Sequence, residues 1–449
     1  MFHALIFKYS NFNPFTESGK AFKIILFTIN NKNRINNKNI LSKNGIDRNG
    51  DKMIELLVFL IMLFIVAIIS CKIDKLPISP QMVFIFAGII AGWLFTGYLD
   101  IREPPVSTIL LLIAEIALVL VLFTDASRVP LKDLRTNNLP PRLLSIGLIL
   151  TIILGIVLAT LIFTDLSFWE AAIIGVVLAP TDAALGQIVV KNKGIPLKIR
   201  EALEIESGLN DGLVVPFLLV FIGIGMAAET FSPTGYFIKV ALEQIGLGVL
   251  AGLSVGLLGS WMVIKSRNRG WITSEYQRIA FLVLAIISFI VADEIGGSGF
   301  IAAFVGGLAA GYITRDAGKV LMDFAETEGQ FLNLTVFFIL GIVIAGLMPD
   351  ITWQVILYSI LSLTIIRILP VAISLIGTKV SWDTALFMGW FGPRGLASIV
   401  LTLYALERLT TFPGEDTFIL VVFITVLVSV VAHGVTALPL SKRYSQRNQ

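Results

Sequence analysis

Two short stretches place a proline and a charged residue together inside apolar runs: LAPTDAALG at residues 178–186 and FGPRGLAS at residues 391–398. Proline removes a backbone donor and clashes with the preceding turn, so each stretch predicts an interruption in a membrane helix. The charged residues at these breaks are Asp182 and Arg394. Interrupted membrane helices of this kind are typical of secondary transporters, whose substrate sites lie where the discontinuous helices meet.

The composition indicates a membrane protein around these breaks. Of 449 residues, 56% are hydrophobic and 14% are charged, whereas about a quarter are charged in an ordinary soluble domain. The apolar residues come in runs of about 18 to 25, long enough to cross a bilayer as helices. We therefore predict an all-α polytopic membrane protein. One cysteine, Cys71, and two histidines, His3 and His433, offer little for a soft metal site, so we expect no bound cofactor and no nucleic-acid partner.

The apolar runs predict about thirteen spans. They start near Ile54, Met82, Val106, Leu143, Phe168, Ile205, Phe237, Arg278, Ser298, Phe331, Trp353, Trp382 and Phe418. Spans 5 and 12 carry the breaks, and because their serial numbers differ by an odd number, two six-helix repeats would cross the membrane in opposite directions. We expect the first repeat at residues 53–227, a linking span at 237–263, the second repeat at 278–441 and a short cytoplasmic tail at 442–449.

The connections alternate sharply in positive charge. From Met53 onward, 20 of the 25 Lys and Arg residues lie in the odd-numbered connections and the C-terminus, and 3 lie in the others. By the positive-inside rule the C-terminus is cytoplasmic and span 1 starts outside, as expected of a cell-membrane protein. Residues 1–52 carry 9 Lys and Arg and contradict this plan. We expect translation to start at Met53; a genuine basic extension is the alternative.

Two buried carboxylates lie at similar depth. Asp182 is roughly 12 Å and Asp211 roughly 9 Å from the cytoplasmic end of adjacent spans, at 1.5 Å per residue. The sequence ESGLND, residues 206–211, places four polar side chains on one helix face. These side chains belong to Glu206, Ser207, Asn210 and Asp211.

Such an oxygen-rich cluster suits a hard, partly dehydrated cation. The break at Pro180 should also free backbone carbonyls near Thr181. We expect Arg394 to pair with Glu206, because a buried guanidinium stays charged and requires a carboxylate. Protons and a cation competing for the same oxygens, with the site open to one side at a time, would produce exchange.

The remaining charged and polar residues in the spans predict structural roles. We expect Asp125 and Arg128 to lie at the membrane interface, and His433 to be a hydrogen-bonded packing residue. We expect structural or interface roles for Glu115, Glu243 and Arg367. Glycines spaced by four predict close helix packing or a subunit interface; they are Gly248, Gly252, Gly256, Gly307 and Gly311.

Three other functions are weaker fits. An intramembrane serine protease is suggested by Ser298 in a GxSG pattern, but its only candidate base in the spans is His433. An aspartyl type needs a GxGD motif, which neither Asp182 nor Asp211 occupies. A cation channel or a sodium-coupled symporter also needs an oxygen-lined site, but no constellation for an organic solute is present.

The motifs together resemble one family, the monovalent cation/proton antiporters of the NhaP and NHE sodium/proton exchanger type. The resemblance covers the chain from Met53 and rests on APTD, ESGLND, GSGFIAAFVGG (residues 297–307) and GWFGPRGLAS (residues 389–398). It implies thirteen helices with inverted repeats, a homodimer built on a separate interface domain, and elevator-like movement of a six-helix core. The implied activity is exchange of Na⁺, Li⁺ or K⁺ for H⁺, which serves pH homeostasis.

The resemblance also implies residue roles. The cation and proton site would comprise Thr181, Asp182, Glu206, Ser207 and Asp211, with Na⁺ at Asp182, Ser207 and Asp211. Asn210 and Arg394 match stabilising partners, and the Asn210–Asp211 pair implies electroneutral exchange. One departure is Ala183, where many members have proline. That leaves the break resting on Pro180 and puts ion selectivity tuned by local geometry in question.

Overall fold

The structure, a computed structural model, describes residues 48–73, 76–96, 106–129, 137–230, 233–314, 318–409 and 412–447. Within these residues the regular structure is helical, without strands. Most of the doubtful extension, residues 1–47, lies outside the described part.

Among the described residues, the first half of the chain forms seven helical units. They are α1 (Arg48–Ile73), α2 (Pro80–Ala91), α3 (Val106–Arg128), α4 (Leu139–Ile162), the interrupted α5a (Phe168–Val177) and α5b (Ala183–Val190), α6 (Leu197–Thr230) and α7 (Thr234–Asn268). The second half forms six more. They are α8 (Ser274–Glu294), α9 (Gly299–Thr314), α10 (Gly318–Leu347), α11a (Trp353–Leu363) with α11b (Ile365–Ser374), α12a (Trp382–Trp390) with α12b (Leu396–Arg408), and α13 (Glu415–Arg447).

The all-helical membrane fold that we predicted is confirmed. In the described part of the chain, eight helices are long and apolar enough to span a bilayer, and four more are shorter apolar helices. Large apolar side chains on the outside, such as Phe64 and Leu161, each 68% exposed, suit a lipid surround. The count of thirteen spans, the inverted repeats and the domain boundaries stay predictions.

Both predicted breaks are present at their motifs. Helix α5a ends at Val177 and α5b begins at Ala183, while α12a ends at Trp390 and α12b begins at Leu396. A third break, which we did not predict, separates α11a from α11b at Thr364, whose ψ of −90° leaves the helical region.

The glycine stripe of α7 packs inside the chain. A Cβ at Gly248 would press on the backbone of Ser298, just before α9, and a Cβ at Gly252 or Gly256 would press on backbone atoms of α9 at Ala302 and Gly306 respectively. On the other side of α9, Gly307 and Gly311 lie against the backbone of α3 at Phe123 and Ser127. The stripe therefore supports helix packing within this chain, because α9 already covers the face that we considered for a subunit contact.

The helices that carry the breaks pack around one another. Helix α5b contacts α6 and α13, α11b contacts α12a, and α12b contacts α3, α6 and α13. This arrangement brings the breaks of α5 and α12 together in the interior, where the candidate site lies.

Candidate cation and proton site

The carboxylate of Asp182 caps two helices at once. Its Oδ1 accepts a hydrogen bond from the backbone N–H of Leu185 in α5b (3.2 Å), and its Oδ2 accepts one from Leu396 at the start of α12b (3.1 Å). Free N–H groups and a partial positive charge mark a helix N-terminus, so a carboxylate is stabilised there. Asp182 thus neutralises the N-terminal ends of both half-helices while only 8% exposed.

Arg394 performs the opposite task at the C-terminal end of α5a. Its Nη1 donates to the carbonyl oxygens of Ala179 (2.9 Å) and Pro180 (3.0 Å), which the break has left without helical partners. A cation is favourable where carbonyls accumulate at a helix C-terminus. The backbone N–H of Asp182 adds a third link, donating to Pro393 O at 2.8 Å.

The two glycines of the GPRG motif make room for charged side chains. A Cβ on Gly395 would collide with the Asp182 carboxylate, and a Cβ on Gly392 would collide with the guanidinium of Arg367. This explains why glycine stands on both sides of Pro393 and Arg394. At the break, the absence of a Cβ leaves space for the side chains of Asp182 and Arg367.

The predicted ion pair between Arg394 and Glu206 was wrong. Glu206 instead accepts two hydrogen bonds from Arg367, Nη1 to Oε1 at 2.6 Å and Nη2 to Oε2 at 2.8 Å, and both residues are 2% exposed. Arg394 binds carbonyl oxygens because the break in α5 offers them nearby. Arg367, which we had left without a partner, takes the carboxylate because α11b places it beside α6.

Thr181, Ser207 and Asn210 form a connected polar cluster. The hydroxyls of Thr181 and Ser207 are 3.1 Å apart, and Asn210 Nδ2 donates to Thr181 Oγ1 at 2.7 Å. These contacts join the break of α5 to Ser207 and Asn210 of the ESGLND sequence in α6.

Two buried oxygens next to this cluster are unsatisfied. Asn210 Oδ1 and Asp211 Oδ1 have no hydrogen-bond partner among the described residues, and the residues are 1% and 7% exposed. Leaving buried acceptors unpaired costs free energy, so these atoms are the ones with capacity for a cation or, at Asp211, a proton.

A further carboxylate borders the site from α3. Asp125 lies against Gly208, where an added Cβ would sit 3.4 Å from Asp125 Cβ, and both Asp125 and Asp182 interact electrostatically with Asp211. We expected Asp125 to lie at the interface beside Arg128, and the two side chains do approach to 4.0 Å. What we missed is that Asp125 also faces α6; Gly208, which admits a close neighbour, was the available signal.

The oxygen atoms that could bind a cation at this site belong to carboxylate, hydroxyl and amide groups. No three His, Cys, Asp or Glu side chains gather as a metal-binding group in the described ranges. That criterion leaves out the hydroxyl and amide oxygens of Thr181, Ser207 and Asn210, which are suitable ligands for a hard cation.

Crossed interrupted helices with compensating charges and a buried oxygen cluster define a secondary membrane transporter. Comparison with known proteins identifies its family. The family model described as "Sodium/hydrogen exchanger, transmembrane" matches residues 59–443, and the chain belongs to that family. The resemblance inferred from the motifs is confirmed, and because the family consists of transporters rather than enzymes, the protease interpretation is set aside.

Individual relatives agree with this family. The chain is 28% identical over 388 residues to the Na⁺/H⁺ antiporter ApNhaP of Aphanothece halophytica, covering 82% of this chain and 70% of that protein. It is 26% identical over 387 residues to the K⁺/H⁺ antiporter NhaP of Alkalimonas amylolytica, covering 85% and 65%. The chain thus spans about two thirds of the length of these curated relatives.

A solved structure matches the fold. The sodium proton antiporter MjNhaP1 from Methanocaldococcus jannaschii at pH 8 superposes with a TM-score of 0.69 at 21% identity, covering 88% of this chain and 99% of that one. At this level of identity, the match supports the fold alone.

Ser298, the residue behind the protease alternative, has a structural place. Its backbone N–H donates to Gln244 O of α7 at 2.9 Å, and it precedes the first turn of α9. His433 is bonded elsewhere, to Ser429 and Trp390.

Proposed function

We propose that this protein is a secondary antiporter that exchanges Na⁺, Li⁺ or K⁺ for H⁺ across the cell membrane. The observation that carries the proposal is the unsatisfied, buried Asp211 Oδ1 beside the Thr181–Ser207–Asn210 cluster. A carboxylate in this position can hold either a proton or a cation. Since one occupant displaces the other, exposure of the site to each side in turn couples the two fluxes.

Asp182 and Asp211 would have different roles in the exchange. Asp182 has both oxygens engaged with backbone N–H groups, so it supplies a fixed negative charge. Asp211 would bind and release. We place the cation among Asp182, Ser207 and Asp211, with Thr181 as a further oxygen ligand and Asn210 orienting Thr181.

Glu206 has a different role in this proposal. Both of its carboxylate oxygens bind Arg367, so we propose that it anchors α6 to α11b. The resemblance implied that Glu206 is part of the cation site. Measuring how the cation and the proton compete for the site in Glu206→Gln would distinguish the two roles.

The choice of cation stays open within the proposal. One relative is named for Na⁺ and another for K⁺, and the mixed oxygen site can suit either. We further propose a homodimer, a cytoplasmic C-terminus, and electroneutral exchange through the Asn210–Asp211 pair.

Proteoliposomes that contain a trapped pH dye test the proposal. A proton gradient that is acid inside the liposomes should collapse on addition of at least one of Na⁺, Li⁺ and K⁺ to the outside, because protons leave as the cation enters. Asp211→Asn should abolish this response, and Asp350→Asn, an exposed Asp outside the site, should not. The proposal fails if none of the three cations moves protons, or if Asp211→Asn exchanges at the wild-type rate.

Coupling and stoichiometry need separate measurements. An imposed membrane potential should leave the initial rate of an electroneutral exchanger unchanged. Cation flux that persists without proton movement would instead indicate a channel.

A further inference from the structure

One of the helical hydrogen bonds that the break in α12 removes would join Arg394 to Trp390. In a continuous helix the N–H of Arg394 would donate to the carbonyl of Trp390, four residues earlier. Helix α12a ends at Trp390 and α12b begins only at Leu396, so both groups need other partners. Both lie among buried residues, where an unpaired backbone group costs as much as a lost hydrogen bond. The Trp390 carbonyl oxygen accepts one hydrogen bond from the Gly392 N–H at 2.9 Å, which leaves its second lone pair for another donor.

Two side chains of α13 occupy the place of that bond. The N–H of Arg394 donates to Ser429 Oγ at 2.7 Å, Ser429 Oγ lies 3.3 Å from His433 Nδ1, and His433 Nε2 lies 2.8 Å from the carbonyl oxygen of Trp390. Ser429 is fully buried and His433 is 1% exposed. One continuous path therefore runs from Arg394 N to Trp390 O through α13.

One protonation pattern satisfies the whole path. With the imidazole neutral and its proton on Nε2, Nε2–H donates to Trp390 O, while Nδ1 accepts from the Ser429 hydroxyl, which itself accepts from Arg394 N–H. The other neutral tautomer would direct a lone pair of Nε2 at the Trp390 carbonyl oxygen, which is repulsive. Nδ1 also lies 2.9 Å from Ser429 O, a contact that only a protonated Nδ1 would satisfy, so the tautomer with its proton on Nε2 satisfies the path at the expense of this one contact.

We propose that Ser429 and His433 are positioning residues that replace the missing hydrogen bond of α12 and hold its break at a fixed width. This inference rests on the proposed function for its consequence. Arg394 binds the carbonyls of α5a, and the next residues cap Asp182, so a wider break would move the charges at the site. Neither Ser429 nor His433 has a direct hydrogen bond to the oxygen cluster.

Trp390 strengthens the path from its side chain. Its Nε1 donates to Thr436 Oγ1 at 3.0 Å, and its ring lies 5.3 Å from the imidazole of His433. Trp390 is thus attached to α13 by both its carbonyl and its indole, and α13 bridges the break in α12.

Hydrogen exchange tests the path without relying on transport. Mass spectrometry of the detergent-purified full chain would follow a peptide that contains residues 391–396. Ser429→Ala and His433→Leu should each accelerate exchange of the Arg394 amide by a factor of about 5 to 30, the ratio expected from loss of one buried bond. Ser441→Ala is the matched control, because Ser441 is a buried serine of α13 that donates only to its own helix, at Leu438 O.

Substitutions at His433 separate the two bonds. Glutamine can place an amide donor where Nε2 lies, and should restore the link to Trp390 and most of the protection. Leucine cannot. In proteoliposomes His433→Leu and Ser429→Ala should raise the half-saturating cation concentration more than they lower the maximal rate. The double variant should be no worse than the stronger single one, because both act through one path.

The outcomes are distinguishable. Unchanged exchange at residues 391–396 in both single variants, or equal acceleration in Ser441→Ala, overturns the path. If hydrogen exchange is accelerated in the variants but the wild-type protein transports no cation, the path stands and the proposed function is refuted. Accelerated exchange with an unaltered half-saturating concentration would refute the positioning role.

Discussion

Asp182 and Arg394 each bind the backbone of the other's helix. The Asp182 carboxylate accepts the N–H of Leu396 in α12b, and the Arg394 guanidinium donates to Ala179 and Pro180 at the end of α5a. The two charges therefore compensate the half-helices that the breaks expose, and the crossing is stable without a direct ion pair between them. In the function that we propose, a different carboxylate, Asp211, binds and releases the proton and the cation.

This division predicts different costs for the two aspartates. Asp182→Asn leaves one amide oxygen to do the work of two capping oxygens, so we expect loss of exchange together with about 0.5 to 2 kcal/mol of stability. Asp211→Asn should abolish exchange at a smaller cost in stability, because Asp211 Oδ1 has no hydrogen-bond partner among the described residues. Thermal unfolding in detergent, with the proteoliposome assay, measures both. A larger stability loss in Asp211→Asn than in Asp182→Asn would contradict the assignment.

The buried pair of Glu206 and Arg367 predicts strong non-additivity. Removing one partner leaves an uncompensated buried charge, so Glu206→Leu and Arg367→Met should each cost about 3 to 5 kcal/mol. The double variant should recover most of that loss, since neither charge then remains. Arg394→Met offers the comparison: combined with Glu206→Leu it should show much less recovery, because Arg394 interacts with Glu206 through its charge but without a hydrogen bond.

Glycine at position 395 predicts a steric requirement. Gly395→Ala places a Cβ on the Asp182 carboxylate, and we expect loss of exchange with a destabilisation of about 1 to 3 kcal/mol from overpacking. Gly186→Ala is the control within the same crossing, since a Cβ there meets nothing within 4 Å. It should keep exchange and gain stability as a helical alanine. Equal effects of the two substitutions would argue against the close contact.

Asp125 predicts an effect on cation affinity. Its negative charge attracts a cation bound at Asp211, so Asp125→Asn should raise the half-saturating cation concentration by about tenfold, which corresponds to 1.4 kcal/mol of lost attraction. Initial rates over a range of cation concentrations measure this change. The interfacial role that we predicted from the sequence would instead leave the half-saturating concentration at the wild-type value.

Competition at a single site predicts the pH dependence of exchange. A carboxylate must be deprotonated to bind a cation, so the affinity for the cation decreases as the pH is lowered. Where the site is mostly protonated, the half-saturating cation concentration should rise about tenfold for each unit of lower pH, while the maximal rate at saturating cation changes far less. A half-saturating concentration that is independent of pH would show that proton and cation use different groups.

The parts of the candidate site that depend only on neighbouring residues in the sequence could be predicted. Pro180 and Pro393 each remove a backbone donor beside a charged residue, which favours an interruption there, and the helical repeat places Ser207, Asn210 and Asp211 on one face whatever surrounds them. For the same reason the break at Thr364 escaped prediction, because its sequence has no proline or glycine next to the break. Pro370 lies six residues further on, within α11b.

The sequence by itself determined that this is a helical membrane protein with two charged breaks and an oxygen-rich face between them. Only the tertiary structure decided which groups pair. Arg367 and Arg394 are both buried arginines in apolar spans, and nothing local distinguishes their partners. A guanidinium binds the acceptors that packing brings within hydrogen-bond distance: here, free carbonyls beside Arg394 and a carboxylate beside Arg367. Ser429 and His433 illustrate the same limit, because the bond they replace belongs to a different helix.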